Sequence, residues 1–344
     1  MTMSTVTVTG GTGYLASWIV RDLLKEGHDV RITVRNKDKV EKYQYLVEFE
    51  KEYKGSLSVF EADLLQEGSF DEAVQGAEVV IHTASPFLIS SDNPEKDLIQ
   101  PAKQGTKNVL TSVEKAPTVK RVVLTSSIVA IMGDNKEMAG REAFTENDWN
   151  TTSTSDHQPY PYSKTLAEQE AWKMVKNQNQ YDLVTINPSF IMGPTLSGRS
   201  DSTSISTIQQ FLTGGFKTGV PKLYSGIVDV RDVAKAHILA AFKPEAHGRY
   251  IVSSGEVTFL EIAKIIEKNF PGKYPLPKRE VPKALIWLIA PSVGLTRKYV
   301  KENAGYRIAF DTTKSKQELG MTYRAIEATF VDQVDQMEED GLVK

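Results

Sequence analysis

Short apolar, β-branched runs alternate with helical patterns along the first half of the chain. The helical pattern over 14–25 places Leu15, Ile19 and Leu23 four residues apart on one face. The apolar runs are bounded by polar or glycine-containing turns, which is typical of parallel strands buried on both faces. The predicted strands cover 6–8, 30–34, 57–60, 79–81 and 121–125, and further helices cover 70–75 and 98–115. Strands that alternate with helices predict right-handed βαβ units, and therefore an α/β fold with a doubly wound, mostly parallel Rossmann-type sheet.

The pattern lapses into a long polar stretch over 133–159, which is more typical of a functional loop than of filler. A helix is predicted over 163–176 and a strand over 183–187. Residues 248–253 are predicted to form a late strand that returns to the sheet.

The remainder of the chain is predicted to be mainly helical. We therefore expect a dinucleotide-binding domain and a smaller, mainly helical substrate-binding domain. The first comprises 1–188 with 226–253 returning to it, and the second comprises 189–225 and 254–344.

A glycine-rich turn joins the first predicted strand to the first helix. Gly10 allows a tight turn, and Gly13 lets the backbone approach a pyrophosphate placed on the helix N-terminus. Ala16 supplies the small residue needed where the helix packs on the strand. In this βαβ context the turn predicts a dinucleotide site, and the alternative is a tight turn without a ligand. The residues expected at the dinucleotide are Gly10, Thr12, Gly13, Tyr14 and Leu15.

The end of the second strand indicates which dinucleotide is bound. An acidic residue there would bind a ribose 2′-hydroxyl, but this chain has Arg35, followed by Lys39. Two cations suit a 2′-phosphate, so we predict NADPH/NADP⁺. The alternative is a solvated basic turn whose charge Asp38 partly offsets. Asp63 and Leu64, after the third strand, are placed to contact adenine or simply form a surface turn.

Candidate catalytic residues follow the fifth strand and open the next helix. Ser127 ends the strand, and Tyr160 and Lys164 are spaced one helical turn apart on the same face. An ammonium beside a phenol should lower the pKa of the tyrosine, and a serine hydroxyl can orient a carbonyl oxygen. A surface tyrosine and lysine would be the alternative interpretation of the pair alone.

These motifs together resemble the extended short-chain dehydrogenase/reductase superfamily. The segments 80–87, 121–127 and 228–234 are further similar to its dihydroflavonol reductase and yeast methylglyoxal/aldehyde reductase branch. The resemblance implies a catalytic triad of Ser127, Tyr160 and Lys164. It also implies cofactor contacts by Arg35 and Lys39 at the 2′-phosphate, Thr83 and Ala84 near the ribose, Pro188 and Ile191 beside the nicotinamide, and Ser204, with Tyr160 and Lys164 contributing.

The chain departs from the family pattern at three places. Gln104 stands where many members have a relay asparagine. Ile131 replaces the polar substrate-contacting residue of plant dihydroflavonol reductases, and 157–159 lack the run typical of cinnamoyl-CoA reductases. We therefore expect neither plant activity. Phe87, Ile131 and Phe190 are candidates for an apolar pocket, or else core residues.

Composition narrows the function classes further. A formal net charge of −3 in 344 residues gives no reason to expect a nucleic-acid or anionic-membrane partner. The absence of cysteine removes disulfides and thiolate metal sites, and the five histidines are scattered, so we expect no metal. The longest apolar stretch, 284–290, is too short to span a bilayer, and no signal peptide is expected. We expect a cytoplasmic monomer or homodimer.

The sequence therefore predicts an NADPH-dependent reductase of small aldehydes or ketones. One alternative is a sugar-nucleotide epimerase or dehydratase, which shares the fold and triad but usually prefers NAD. The other is a non-catalytic NADPH-sensing protein.

Overall fold

The computed structural model describes residues 3–86, 93–198 and 202–343. Its strands are β1 (Thr5–Thr9), β2 (Asp29–Val34), β3 (Ser56–Glu61), β4 (Val79–His82), β5 (Arg121–Thr125), β6 (Asp182–Pro188), β7 (Phe190–Met192), β8 (Val220–Pro221), β9 (Tyr224–Asp229), β10 (Gly248–Val252), β11 (Gly255–Thr258) and β12 (Glu280–Val281). Its α-helices are α1 (Tyr14–Glu26), α2 (Gln44–Glu52), α3 (Asp71–Val74), α4 (Gln100–Glu114), α5 (Pro159–Val175), α6 (Thr203–Leu212), α7 (Val230–Phe242), α8 (Phe259–Asn269), α9 (Lys283–Ile289), α10 (Arg297–Asn303) and α11 (Ile326–Glu339).

A seven-stranded parallel sheet forms the centre of the molecule. Its strand order is β10-β6-β5-β4-β1-β2-β3, so the order reverses between β1 and β4. Helices cover both faces: α1 and α7 pack together on one, and α4 and α5 on the other. The predicted doubly wound Rossmann-type sheet is confirmed. In such sheets ligands bind outside the carboxyl ends of the strands, at the point of reversal.

Most strands lie within one or two residues of their predicted bounds. The inner strands are short apolar runs buried on both faces, whereas β3 at the sheet edge has no buried residue. Val6, Val8 and Ile32 are completely buried. Strand β10 pairs with β6, as expected of a late strand returning to the sheet.

Helix α5 begins four residues earlier than predicted. Pro159 occupies its first turn, where a missing N–H costs no helical hydrogen bond and the fixed φ suits the helix. Consequently Tyr160 lies within the helix.

The later part of the chain contains short strands as well as the expected helices. Strands β11, β9 and β7 form a three-stranded sheet, and β12 pairs with β8. Strands β7, β8 and β12 have only two or three residues, too few for an alternating pattern to be detected, whereas β9, at six residues, is as long as β2 and was missed. The domain boundaries remain a prediction. Within the described ranges, no helix is long and apolar enough to cross a membrane.

A buried carboxylate joins the central strands to α5. Glu168 has a fully buried side chain and accepts a hydrogen bond of 2.7 Å from Nε of Arg249, on β10. The guanidinium of Arg249 also stacks on the ring of Trp149, 3.9 Å from its centroid. Four other side chains donate to the same carboxylate: Ser126, Trp172, Thr185 and Asn187. Each oxygen of this buried carboxylate therefore accepts at least two hydrogen bonds.

Replacing Arg249 with methionine should destabilise the fold, because it leaves the charge of Glu168 buried without its cation. We expect the free energy of unfolding to fall by about 3–5 kcal/mol, measured by urea titration. The double variant Glu168→Gln/Arg249→Met is the control and should recover much of the loss. A single variant as stable as the wild type would contradict this account of the ion pair.

Candidate active site

The predicted site residues follow the carboxyl ends of neighbouring strands. The glycine-rich turn follows β1, the Thr83–Ala84 segment follows β4, Ser127 follows β5, and Pro188 ends β6. Because these strands run parallel and lie side by side, their following turns share one edge of the sheet.

The glycine-rich turn has the geometry that its sequence predicts. Gly10 has a φ of +66°, in the region that glycine alone adopts readily. A Cβ at Gly10 would lie 3.1 Å from the Cβ of Ala84, so glycine also permits the close approach of two turns. Ala16 is almost completely buried where α1 packs on the sheet.

The N-terminus of α1 is suited to an anion. Gly13 is its N-cap and provides no side-chain cap, and the first turn carries no acidic residue. The N–H groups of this first turn, which have no acceptor within the helix, and the helix dipole therefore favour a negative group such as a pyrophosphate. The side chains of two predicted contacts point elsewhere: Tyr14 donates through its hydroxyl to the Gly193 carbonyl at 2.6 Å, and Leu15 is buried in the core. These two residues can face a dinucleotide only through their backbone. Thr12 lies in the same turn, between Gly11 and Gly13.

The two cations after β2 are exposed. Within the part of the chain that the structure describes, neither Arg35 nor Lys39 makes a side-chain hydrogen bond or ion pair with a protein group. Asp63 accepts from the backbone N–H of Leu65 at 2.8 Å, as in the surface-turn alternative. The carbonyl of Leu64 accepts from Asn108 at 2.7 Å.

The turn after β4 is bound to the end of β1 through Thr9. The hydroxyl of Thr83 donates to the Thr9 carbonyl at 2.5 Å, and the N–H of Ala84 donates to the Thr9 hydroxyl at 3.1 Å. The same hydroxyl lies 2.7 Å from Nδ1 of His82. Burial, and secondarily the charge of Lys164, lowers the pKa of His82 to about 3, so this histidine is neutral at physiological pH.

The structure brings Tyr160 and Lys164 together on the first turns of α5. The Lys164 amine lies 6.0 Å from the centroid of the Tyr160 ring and donates a hydrogen bond of 3.0 Å to the hydroxyl of Ser85. Ser85 was not predicted as a site residue. The available signal was its place directly after Ala84, at a strand end.

The pKa of Tyr160 differs in direction from the expectation. Burial raises it to about 12, and burial also lowers the pKa of Lys164 to about 8. Removal from water therefore outweighs the attraction of an ammonium 6.0 Å from the ring. At neutral pH Tyr160 keeps its proton, which makes it a donor rather than an acceptor.

Ser127 begins the short 3₁₀ turn Ile128–Ala130, against which α5 packs. Its hydroxyl is half-buried and accepts from the N–H of Val129 at 3.3 Å, so its own proton remains available for donation. Gln104 is exposed and donates to Asn108 at 2.7 Å. In this structure the Gln104 amide therefore makes a hydrogen bond to a residue one turn further along the same helix, α4.

Of the three substrate-pocket candidates, Ile131 is a core residue. It is completely buried in a cluster that includes Met132, Phe144 and Ile308, so the alternative interpretation describes it and the pocket assignment is corrected. Phe190 is half-buried against another apolar cluster. Phe87 lies outside the described residues.

The segment after β6 is tied to the smaller sheet. Pro188 and Ile191 lie in β6 and β7, and the hydroxyl of Ser204 donates to the Ile191 carbonyl at 2.5 Å. Trp18 on α1 donates to the carbonyl of Pro194 at 3.0 Å. The catalytic and cofactor roles of these residues remain predictions.

Comparison with known proteins identifies reductases over the whole chain. The model of the 3-beta hydroxysteroid dehydrogenase/isomerase family matches residues 7–260. The chain is 36% identical over 338 residues to cinnamoyl-CoA reductase CAD2 of Medicago truncatula, covering 97% of this chain and 95% of the relative. It is 37% identical over 339 residues to tetraketide alpha-pyrone reductase 1 of Arabidopsis thaliana, covering 98% and 96%.

A similar solved structure is that of yeast methylglyoxal/isovaleraldehyde reductase Gre2 complexed with NADPH. It superposes with a TM-score of 0.77 at 31% identity, and the match covers 98% of this chain and 100% of that chain.

The amine of Lys164 should titrate well below the other lysines. With ¹³C-labelled lysine, we expect one NMR resonance to titrate near pH 8, because burial lowers the pKa of Lys164 to about 8, whereas exposed lysines titrate near ~10.4. The assignment is checked by loss of that resonance in Lys164→Met. If no lysine titrates below about pH 10, the amine is more hydrated than the structure indicates.

Proposed function

This chain belongs to the 3-beta hydroxysteroid dehydrogenase/isomerase family, and we propose that it is an NADPH-dependent carbonyl reductase of aldehydes or ketones. The predicted membership of the extended short-chain dehydrogenase/reductase superfamily is confirmed. The chain is an oxidoreductase that acts on carbonyl-type substrates and uses NADPH. The observation that carries the finer proposal is the Tyr160–Lys164 pair, with a protonated phenol at the carboxyl edge of the sheet.

The residues present fit NADPH. The uncapped N-terminus of α1 suits the pyrophosphate, and the closeness of Gly10 to Ala84 leaves no room for a side chain in that turn. The exposed Arg35 and Lys39, without a protein partner among the described residues, suit a 2′-phosphate. NADPH, when bound, supplies the hydride for the carbonyl carbon.

The chain's own residues supply the proton and the charge. In our proposal Tyr160 gives its hydroxyl proton to the carbonyl oxygen, which Ser127 orients by donating a hydrogen bond. The positive charge of Lys164 stabilises the phenolate that Tyr160 leaves behind. With a pKa of about 8, Lys164 is mostly charged at neutral pH, and Ser85 fixes its amine.

The substrate class depends on residues that the structure only partly describes. The yeast neighbour is named for methylglyoxal and isovaleraldehyde, whereas the plant relatives are named for cinnamoyl-CoA and a tetraketide pyrone. Burial of Ile131 removes one argument for a small apolar pocket. The different residues at 157–159 still support a small aldehyde or ketone over a cinnamoyl thioester.

A substrate panel tests this proposal through loss of NADPH absorbance. Methylglyoxal, isovaleraldehyde and a simple diketone should be reduced faster than a cinnamoyl-CoA thioester or a flavonoid ketone. Conversion of a nucleotide sugar without net consumption of NADPH would instead indicate an epimerase or dehydratase, and binding of NADPH without any turnover would indicate a sensor.

Replacing Tyr160 with phenylalanine should remove the proton donor alone. We expect kcat to fall by about 10²- to 10⁴-fold while the Kd for NADPH changes little. Tyr162→Phe is the matched control, because Tyr162 lies in the same first turn of α5 as Tyr160. This variant should keep the wild-type kcat. Parallel losses of kcat and NADPH affinity in Tyr160→Phe would refute the assigned role.

Removing both cations after β2 should weaken recognition of the 2′-phosphate. In Arg35→Ala/Lys39→Ala we expect KM for NADPH to rise by about 10- to 100-fold, with KM for NADH nearly unchanged. Lys51→Ala, an exposed cation on α2, serves as the control. An equal effect on both dinucleotides would exclude these residues as the phosphate site.

A further inference from the structure

We infer that Asp134 is a positioning residue for Tyr160 and acts through Gln158 at the start of α5. This inference rests on the proposed role of Tyr160 as the proton donor. It concerns a buried hydrogen-bond network that the sequence analysis did not identify.

Gln158 has an unusual backbone. Its φ and ψ are both 59°, and among the described residues it is the only non-glycine with a positive φ. This left-handed conformation crowds the Cβ of an L-residue, so it persists only where the surroundings hold it. The Gln158 carbonyl accepts from the N–H of Tyr162 at 3.1 Å, in the first turn of α5. Tyr160 lies between these two residues, so its direction depends on the conformation of Gln158.

The carboxylate of Asp134 holds this conformation. It accepts a hydrogen bond of 2.8 Å from the side-chain amide of Gln158 and one of 2.9 Å from Nε2 of His157. Both Asp134 and His157 are buried. Two consecutive residues before α5 are therefore bound to one acceptor that is shielded from water.

Asp134 is itself fixed from the far end of the chain. The side-chain amide of Asn303, in α10, donates to Asp134 at 2.6 Å, and the Asn303 oxygen accepts from the N–H of Asn135 at 2.9 Å. Asn303 is almost completely buried. The carboxylate thus joins α10, the loop after Ser127 and the start of α5.

The network acts on Tyr160 separately from Lys164. Ser85 fixes the Lys164 amine from the turn after β4, whereas Asp134 fixes the backbone two residues before Tyr160. Loosening Gln158 should therefore move the phenol relative to the amine without disturbing the glycine-rich turn. The expected kinetic signature is a lower kcat with unchanged NADPH binding.

The test compares kcat, KM for the carbonyl substrate and Kd for NADPH in the wild type, Gln158→Ala, Gln158→Gly and Asp134→Asn. Gln158→Ala and Asp134→Asn should lower kcat by about 10- to 100-fold, with KM and Kd within about twofold. Gln158→Gly should also lose activity, because glycine accepts the backbone conformation but lacks the amide that Asp134 binds. Ser112→Ala is the control. Ser112 lies on the remote helix α4, and the variant removes a partly buried hydrogen bond of 2.6 Å to the carboxylate of Asp71 on α3, so it should keep kcat.

Wild-type kcat in Gln158→Ala or Gln158→Gly would overturn the inference, as would a loss of NADPH affinity equal to the loss of kcat. The two Gln158 variants decide the question if Asp134→Asn fails to fold. Tyr160→Phe distinguishes a failure of the proposed function from a failure of the positioning role. If Tyr160→Phe retains activity, the proposed function fails. If Tyr160→Phe is inactive while the Gln158 variants are fully active, only the positioning role is refuted.

Discussion

The parallel pairing of β1 with β4 is the constraint on which the site depends. Thr9 stands opposite His82 in this register, and its hydroxyl and carbonyl then hold the turn that contains Thr83 and Ala84. That turn leads directly to Ser85, which fixes the amine of Lys164. The register of β1 against β4 is in this way linked by a series of hydrogen bonds to the side chain of Lys164 on α5, the residue proposed to act beside Tyr160.

Desolvation determines the chemistry that this arrangement can perform. A tyrosine in water beside a lysine would become more acidic, but burial raises the pKa of Tyr160 and lowers that of Lys164. At neutral pH the phenol of Tyr160 is therefore protonated, and the ammonium of Lys164 loses its proton more readily than that of an exposed lysine. Such a distribution is suited to reduction, in which an oxygen must receive a proton. Deeper in the same region, the buried carboxyl group of Glu168 is surrounded by Arg249 and several other hydrogen-bond donors.

Much of the fold and the dinucleotide turn could be predicted from the sequence, because buried parallel strands and glycine turns leave local patterns. The first residue of α5 could not be predicted, because the polar stretch that ends at Pro159 is typical of a loop, although proline is common in the first turn of a helix. Three strands of the smaller sheets, β7, β8 and β12, were too short to show an alternating pattern. For Ile131 the sequence left a pocket position and a core position open, because an apolar side chain gives no indication of whether it lines a cavity or fills a core, and the structure places it in the core. The partners of Asp134 and Glu168 lie up to 169 residues away in the chain, so no local pattern reveals them.

The two hydrogen bonds from α1 to the segment after β7 have a consequence for folding kinetics. Tyr14 and Gly193 are 179 residues apart, and Trp18 and Pro194 are 176 apart. Contacts of such high order form late, because the intervening chain must first be organised. The first helix can therefore nucleate early, but it acquires its final docking only after synthesis and collapse of the second half.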